Sequence, residues 1–135
     1  MDEKKRYEDG LAVRKQVLGE DYVGRALARR TGFNETFQNM ITRYAWGEIW
    51  TRPGLDRKTR SCMTLAMMVA LNRSDEFKLH VHAAFANGLT QDDIEDILLQ
   101  TAIYCGVPAA NSAFHWASQV FEEMGLATKP MSGKD

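Results

Sequence analysis

The chain has 135 residues, of which 44% are hydrophobic and 26% charged, and its formal net charge is −1. This length predicts one domain, and so small a net charge gives no bulk field for nucleic acid or an anionic membrane. No apolar run approaches the roughly 20 residues of a membrane span, and the polar first residues are unlike a signal peptide. Cys62 and Cys105 lie in apolar surroundings, so we interpret them as reduced core residues and expect a cytoplasmic protein.

Helical periodicity dominates the sequence and predicts an all-α bundle of six to seven helices. The first half begins with a charged helix over residues 3–18 and a shorter helix over residues 21–30. Asn34 is positioned to cap the third helix. The apolar stripe of this third helix consists of Phe37, Met40, Ile41 and Tyr44. Pro53 and Gly54 then break the chain before the fourth helix.

The second half of the sequence predicts further helices with clear starting signals. Asp56 is expected to cap the fourth helix. The apolar stretch over residues 62–71 of that helix is expected to be the most buried part of the fold. Ser74 is positioned to cap the fifth helix, and Thr90 with Asp93 resembles a capping box before the sixth.

The end of the sequence predicts a last helix followed by a tail. Pro108 suits the first turn of this helix, and Gly125 closes it. The residues beyond are polar and lack periodicity, which favours a flexible C-terminal tail over residues 127–135. Neither a repeat nor a long linker divides what precedes the tail, so residues 1–126 are assigned to a single domain.

The fifth helix carries the first candidates for chemistry. Glu76 and His80 are spaced four residues apart, so they share one face beside the apolar stripe and their side chains can meet. His82 lies about 200° around the helix from His80 and cannot act together with it. An imidazole at the edge of a core, near a carboxylate, can donate a proton near neutral pH. The alternative is a structural histidine with a local ion pair.

Glu48 is the next candidate. If the third helix continues through Gly47, Glu48 falls in the apolar stripe that contains Tyr44, and Trp46 and Trp50 flank it. Burial of an unpaired carboxylate is unfavourable or raises its pKa, and a raised pKa suits a general acid. If Gly47 instead ends the helix, Glu48 simply points to water.

A basic cluster straddles the Pro-Gly break and the first turn of the fourth helix. It consists of Arg52, Arg57, Lys58 and Arg60. Cations are not favoured at a helix N-terminus, so capping does not explain the cluster. Guanidinium groups bind carboxylates in a bidentate manner, which predicts an anion site at Arg57 or Arg60. The alternative is a solvated basic face.

Several catalytic motifs are absent from the sequence. It contains no Cys-x-x-Cys pair, Gly-rich phosphate loop, His-Glu-x-x-His helix or Gly-x-Ser-x-Gly elbow. Their absence argues against thiol redox chemistry, nucleotide binding, zinc hydrolysis and serine hydrolysis. The residues alone therefore indicate a helical domain with an acid site and a carboxylate-binding patch as hypotheses.

Blocks of sequence spread over residues 8–125 resemble a known family. The most specific is WGEIWTRPGLDRKTRS at residues 46–61. Others are GLAVRKQVLG at residues 10–19, EFKLH at residues 76–80 and AIYCGVPAA at residues 102–110. In these blocks the chain resembles the carboxymuconolactone decarboxylase family. The resemblance implies an alkylhydroperoxidase D-like helical fold and a homo-oligomer, trimeric or hexameric.

The resemblance also implies an activity. Alkylhydroperoxidases of this fold carry Cys-x-x-Cys-x-x-x-His, but Arg73 and Glu76 stand where the two cysteines would precede His80. The implied reaction is therefore decarboxylation of 4-carboxymuconolactone to 3-oxoadipate enol-lactone, in the protocatechuate branch of aromatic catabolism. Because the lactone carbonyl accepts the electron pair that CO2 leaves behind, no cofactor or metal is expected. The expected partner is a small dicarboxylated lactone.

The residues singled out above meet the requirements of this reaction. The catalytic candidates are His80, Glu76 and Glu48, and the substrate-binding candidates are Arg57, Arg60, Trp46 and Trp50. His80 oriented by Glu76, or else Glu48, would give the proton or hold the dienolate, and all three are expected to reach one cavity. An arginine would hold the acetate arm, because a cation on the departing carboxylate would oppose loss of CO2. The two tryptophans would wall the pocket.

Two alternatives stay open at this point. The chain could be a related decarboxylase or isomerase that acts on another small carboxylated lactone. It could also be a non-catalytic helical module whose basic patch binds an acidic partner. A decarboxylase would release CO2 from its substrate even after treatment with a chelator, whereas a binding module would show no turnover.

Overall fold

The structure is a computed structural model that describes residues 2–133, and within this range it contains α-helices, one π-helix and no strand. The α-helices are α1 (Glu3–Leu18), α2 (Glu20–Ala28), α3 (Glu35–Ile41), α4 (Arg57–Ala70), α5 (Ser74–Ala84), α6 (Gln91–Tyr104) and α7 (Val107–Glu123). The π-helix Thr42–Ile49 follows α3 directly. The all-α prediction is confirmed. No helix in this range is both long and apolar enough to cross a bilayer.

Contacts between helices group the chain into two compact units, one up to Arg60 and one from Ser61 onward. The first unit contains α1, α2, α3 and the π-helix. The second contains most of α4 and all of α5, α6 and α7. The assignment of residues 1–126 to a single domain stays a prediction.

The first unit is built on the close approach of α1 to the π-helix. A Cβ added at Gly10 would collide with the Thr42 carbonyl oxygen and lie 2.8 Å from the Gly47 nitrogen. A Cβ added at Gly47 would in turn collide with the Arg6 carbonyl oxygen. The two glycines thus allow one backbone to lie directly against the other, which explains why larger residues are not found there.

The π-helix settles the alternatives left open at Gly47. The third helix does continue through this residue, but with wider turns, and the Trp50 N–H donates to the Ala45 carbonyl at 3.0 Å. The apolar stripe of this helix also lies elsewhere than expected, since Phe37, Met40 and Tyr44 are all exposed. Contact with α1 is instead made by small and polar residues, so this stripe is not the buried face.

The core of the second unit is formed by apolar side chains from all four of its helices. It includes Leu65, Val69, Phe77, Val81, Ile94, Leu98, Ala113, Ala117 and Val120. The prediction that residues 62–71 are the most buried stretch is wrong. Of its residues only Leu65 and Val69 are buried, whereas Met63, Met67 and Leu71 are exposed. Met63 and Met67 lie on the opposite face of α4, whereas Met68 and Cys62 flank the buried face and pack against the core.

Two of the predicted helix starts are confirmed by their hydrogen bonds. The Asp56 carboxylate accepts from the Thr59 N–H at 2.8 Å, and Thr90 and Asp93 form a reciprocal capping box at α6. Asn34 does precede α3, but its side chain accepts from the Thr31 N–H instead of from the helix, so its capping bond is not formed. Ser74 is the first residue of α5 rather than its cap.

The segment after α7 is attached to α6 where the structure describes it. The Ala127 carbonyl accepts from the Gln91 side chain at 2.9 Å, and Lys129 forms ion pairs of 2.8 Å with Asp92 and Glu95. Such exposed ion pairs are each worth at most about 1 kcal/mol. Flexibility over residues 127–135 stays a prediction, and the last two of these residues lie outside the described range.

Candidate active site

His80 lies on α5 at the edge of the core of the second unit. Phe77 and Val81 on the same helix are fully buried, and the His80 side chain is itself partly buried. Burial lowers the pKa of His80 from its ordinary 6.5 to about 4, and the nearby Glu76 carboxylate opposes this shift only in part. The imidazole is therefore expected to be neutral at pH 7, which, of its two expected roles, favours holding the dienolate over giving the proton.

Glu76 is placed one helical turn before His80, as the spacing predicted. Its side chain is half-exposed and accepts a hydrogen bond from the Arg73 guanidinium at 3.0 Å. A hydrogen bond from its own backbone N–H is the largest cause that lowers the pKa of Glu76, and Arg73 adds to it. Glu76 is thus an ionised carboxylate near a neutral imidazole, whereas His82 is exposed.

Arg73 is the residue of this group that sequence reasoning missed. It lies immediately before α5, three residues ahead of Glu76. The signal was present, because an arginine three residues before a glutamate at a helix start is a typical ion pair. The Arg73–Glu76 ion pair therefore lies about one turn before His80.

Glu48 is partly exposed and lies next to a cation. Its side chain is 45% exposed, and its carboxylate lies 3.5 Å from the Arg6 Nε. The same guanidinium lies over the Tyr44 ring, 5.1 Å from its centroid. Although the helix continues through Gly47, Glu48 is therefore paired with a cation and is not buried among apolar residues.

Trp46 and Trp50 form a stacked pair on the π-helix. Their ring centroids are 5.1 Å apart and the ring planes differ by 26°. Trp46 is buried and Trp50 is partly exposed. The Trp50 indole therefore reaches the surface, and its stacking on the buried Trp46 indole holds it in place. An aromatic pair of this geometry is a rigid apolar surface, suited to lie against a planar ligand.

The basic cluster is ordered around the start of α4. The Arg60 guanidinium donates to the Arg52 carbonyl at 3.4 Å, which ties α4 to the Pro-Gly break. Arg57 and Arg60 are partly buried, whereas Arg52 and Lys58 are exposed. Partial burial strengthens the interaction of a guanidinium with a carboxylate, so Arg57 and Arg60 remain the better candidates for anion binding.

The structure therefore brings the sequence-predicted residues together in two groups. The first unit holds the indole pair, Glu48 with Arg6, and the basic cluster. The second unit holds His80 with Glu76 and Arg73. The expectation that Glu48 and His80 reach one cavity stays a prediction. Within the described range, no cluster of three or more His, Cys, Asp or Glu residues has the geometry of a metal site.

These features define a class, namely all-helical proteins with a desolvated histidine next to an Arg–Glu ion pair. A model described as the Carboxymuconolactone decarboxylase family matches residues 35–119. This match covers the π-helix, α4, α5, α6 and most of α7. The chain belongs to the carboxymuconolactone decarboxylase family.

Individual relatives extend this similarity over nearly the whole chain. The chain is 46% identical to 4-carboxymuconolactone decarboxylase from Acinetobacter baylyi over 132 residues, which covers 98% of each chain. It is 39% identical to nitrosuccinic acid decarboxylase from Metarhizium robertsii over 121 residues, 90% of this chain and 85% of that protein. A 4-carboxymuconolactone decarboxylase sequence from Pseudomonas putida is 52% identical over 48 residues, 36% of this chain and all of that sequence.

Proposed function

We propose that this chain decarboxylates 4-carboxymuconolactone to 3-oxoadipate enol-lactone. The observation that carries the proposal is the 46% identity over 98% of both chains to a relative named for this activity. The absence of a Cys-x-x-Cys pair before His80 agrees with it, because the thiol chemistry of the wider fold is then not available.

The chemistry of the substrate sets what the protein must supply. Loss of CO2 breaks the bond to the ring carbon, and the electron pair moves through the ring double bond onto the lactone carbonyl oxygen. The resulting dienolate takes up one proton at the carbon next to the carbonyl. The protein must therefore stabilise negative charge on one oxygen, admit one proton, and hold the acetate arm of the substrate.

His80 is proposed to stabilise the dienolate by a hydrogen bond from its imidazole N–H to the lactone oxygen. A pKa of about 4 favours this role over proton donation, because the neutral ring keeps one N–H without carrying a proton to lose. A desolvated donor fixed in place is worth most where charge develops. The proton for the carbon then comes from a water molecule, whose hydroxide leaves to solvent.

The other site residues are proposed in supporting roles. Glu76 would orient His80 and raise the pKa of the imidazole when charge develops, because it is ionised and one turn away. Glu48 is a weaker candidate for the general acid, since its carboxylate is paired with Arg6 and partly exposed. Arg57 or Arg60 would hold the acetate arm, and the indole pair would form the wall of the pocket.

A second substrate is favoured by a specific relative, the nitrosuccinic acid decarboxylase at 39% identity. Nitrosuccinic acid and 4-carboxymuconolactone have the same arrangement of functional groups around the bond that breaks. Each is a dicarboxylate whose departing carboxylate is attached to a carbon that also carries an electron-accepting group. This group is a nitro group in one molecule and an unsaturated lactone in the other. The same donor and the same arginine could therefore serve either molecule.

The test is to measure kcat and KM of the purified protein on both substrates, by release of CO2. We expect kcat/KM to be higher for the lactone, since its planar ring suits an indole wall. A higher kcat/KM for nitrosuccinic acid would show that the second function is the correct one. No turnover of either substrate would favour the non-catalytic binding module.

Variants of α5 test the role of His80 within the same assay. His80→Asn should lower kcat on the lactone by roughly 10²–10³, the usual loss for a removed oxyanion donor. Glu76→Gln should lower it less, because the imidazole remains. His82→Asn is the matched control, since this exposed histidine is two residues away on another face. A folded His80→Asn protein with the parent kcat would remove His80 from the mechanism.

We further propose that the chain forms a homo-oligomer, trimeric or hexameric, in the cytoplasm. Large apolar side chains are exposed in the second unit around the end of α6, where Ile103 and Tyr104 are about four-fifths exposed. Exposed apolar patches of this kind mark interaction sites. Light scattering should give a mass three or six times the 15.3 kDa of one chain, and a mass of one chain would contradict the proposal.

A further inference from the structure

One face of α1 contacts α3 and the π-helix through three residues spaced four apart. Arg6 forms the ion pair with Glu48, and Gly10 lies against the backbone of the π-helix. Arg14, one turn further along, donates hydrogen bonds to two side chains of the neighbouring segment. Opposite charge explains the contact of Arg6, and the lack of a side chain explains that of Gly10. Neither reason explains the contacts of Arg14.

Arg14 is a buried cation whose hydrogen-bond partners are neutral. Only 3% of the residue is exposed, yet its Nη1 donates to the Thr42 hydroxyl at 3.2 Å and its Nη2 to the Gln38 amide oxygen at 3.1 Å. Burial is the largest cause that lowers the pKa of Arg14. A buried charge without an opposite charge is unfavourable, and an apolar residue of similar size would fill the same space at lower cost.

The position of these two bonds gives the reason. Gln38 lies in the last turn of α3, and Thr42 is the first residue of the π-helix. The Thr42 hydroxyl also donates to the Gln38 carbonyl at 2.8 Å, so Arg14, Thr42 and Gln38 form one network across the junction. The planar guanidinium holds both side chains at once, which fixes where one helix type ends and the other begins.

The junction decides where the indoles lie. A π-turn takes up one more residue than an α-turn, so a return to α-helical bonding would rotate the following residues by roughly 100°, the angle per residue of an α-helix. Trp46 and Trp50 both follow Thr42 within two turns. Their stacked arrangement therefore depends on the junction being held.

We propose that Arg14 is a positioning residue, which holds the π-helix in register and so sets the placement of the Trp46–Trp50 pair. This rests on the proposed function only where it assigns the two indoles to the wall of the substrate pocket. Arg14 itself has no contact with substrate in this account. Its effect on the reaction passes through the indoles.

The first readout needs no substrate. Two indoles stacked at 5.1 Å give an exciton couplet in circular dichroism, and Trp50→Phe identifies that couplet by abolishing it. Arg14→Met should remove or invert the couplet while the helical signal persists. Arg14→Lys should fail to restore it, because an ammonium cannot hold both partners in a fork. Lys15→Met, which removes the neighbouring cation of α1, should leave the couplet unchanged.

The second readout is kinetic. Arg14→Met should lower kcat/KM by roughly 10- to 100-fold, the effect of a displacement near 1 Å in a site. Thr42→Val keeps the shape of the side chain but removes both hydrogen bonds of the hydroxyl, the one from Arg14 and the one to the Gln38 carbonyl. It leaves the Arg14–Gln38 bond in place and should give a smaller loss in the same direction. The loss in the double variant should be smaller than the sum of the two single losses, because both changes break the Arg14–Thr42 bond.

The proposal is overturned if folded Arg14→Met keeps both the couplet and the parent kcat/KM and only its Tm falls. Additive losses in the double variant would overturn it as well. If Arg14→Met does not fold, Thr42→Val and Gln38→Leu carry the same test, and an unchanged couplet in both would overturn the proposal. Failure of the parent protein to turn over substrate would affect the proposed function alone, since the couplet is measured without substrate.

Discussion

The lowered pKa of His80 predicts a loss of stability in acid that this one residue causes. Between pH 6.5 and about 4 the unfolded chain binds a proton at His80 that the folded chain does not bind. The free energy of unfolding should therefore fall as the pH drops through 6.5, and this cause should add nothing further below about pH 4. A pKa difference of this size corresponds to roughly 3 kcal/mol.

The assay is urea unfolding of the parent and of His80→Asn at pH values from 7 to 4. Other groups titrate in both proteins, so the difference between the two free energies isolates His80. We expect the parent to lose roughly 3 kcal/mol more than the variant over this range. His82→Asn is the control and should follow the parent. Parallel curves for the parent and His80→Asn would refute the reasoning, because they would mean that His80 titrates alike in both states.

The same pKa gives the sign of the pH dependence of catalysis. If the neutral imidazole is the active form, kcat/KM should be constant from pH 6 to 8 and should fall as the pH approaches 4. If the imidazolium were the active form, kcat/KM would instead fall as the pH rises above 4. The same pH profile is measured for His80→Asn. A fall of kcat/KM near pH 4 that is seen in the parent but not in this variant comes from His80 and not from titration of the substrate carboxylates.

Three further predictions concern charge, packing and capping. Arg57→Met or Arg60→Met should raise KM for the lactone by roughly 10- to 100-fold through loss of a charge-assisted bond, and an unchanged KM in both would leave a solvated face. Gly10→Ala should lower the free energy of unfolding by roughly 1–3 kcal/mol, whereas Gly24→Ala, in open space on α2, should raise it by up to about 1 kcal/mol; equal effects in urea unfolding would contradict the described packing. Thr90→Ala should cost about 1 kcal/mol of stability with unchanged kcat, and a loss of kcat would mean the capping box acts on the site.

The helices could be predicted from the sequence because their signals are local. Asp56 and the Thr90–Asp93 pair bond to N–H groups within three residues, so their geometry follows from sequence spacing. The spacing of Glu76 and His80 was reliable for the same reason. A period of 3.6 residues also gave the face of α5 that meets the core.

The π-helix could not be predicted in this way. Phase arguments about Glu48 assumed a constant turn of 3.6 residues, and the wider turns after Thr42 made that assumption invalid. The neighbour that pairs with Glu48 is Arg6, which is distant in sequence and is brought close only by the packing of α1. The buried Arg14 was missed for the same reason, because both of its partners lie on another helix.

The protonation state of His80 also lay beyond the sequence. Spacing correctly indicated a nearby carboxylate, which by itself would raise the pKa of the imidazole. Burial among the side chains of the second unit has the larger and opposite effect. How far a side chain is removed from water depends on tertiary packing, so the sign of the shift could be read only from the structure.

The central claim is tested most directly by one measurement of products. Purified protein, treated with a chelator, is incubated with 4-carboxymuconolactone, and CO2 and 3-oxoadipate enol-lactone are quantified together. The account predicts equal amounts of both, formed at a rate proportional to protein concentration and unaffected by the chelator. Formation of CO2 no faster than without protein, or a rate abolished by the chelator and restored by a metal, would contradict it.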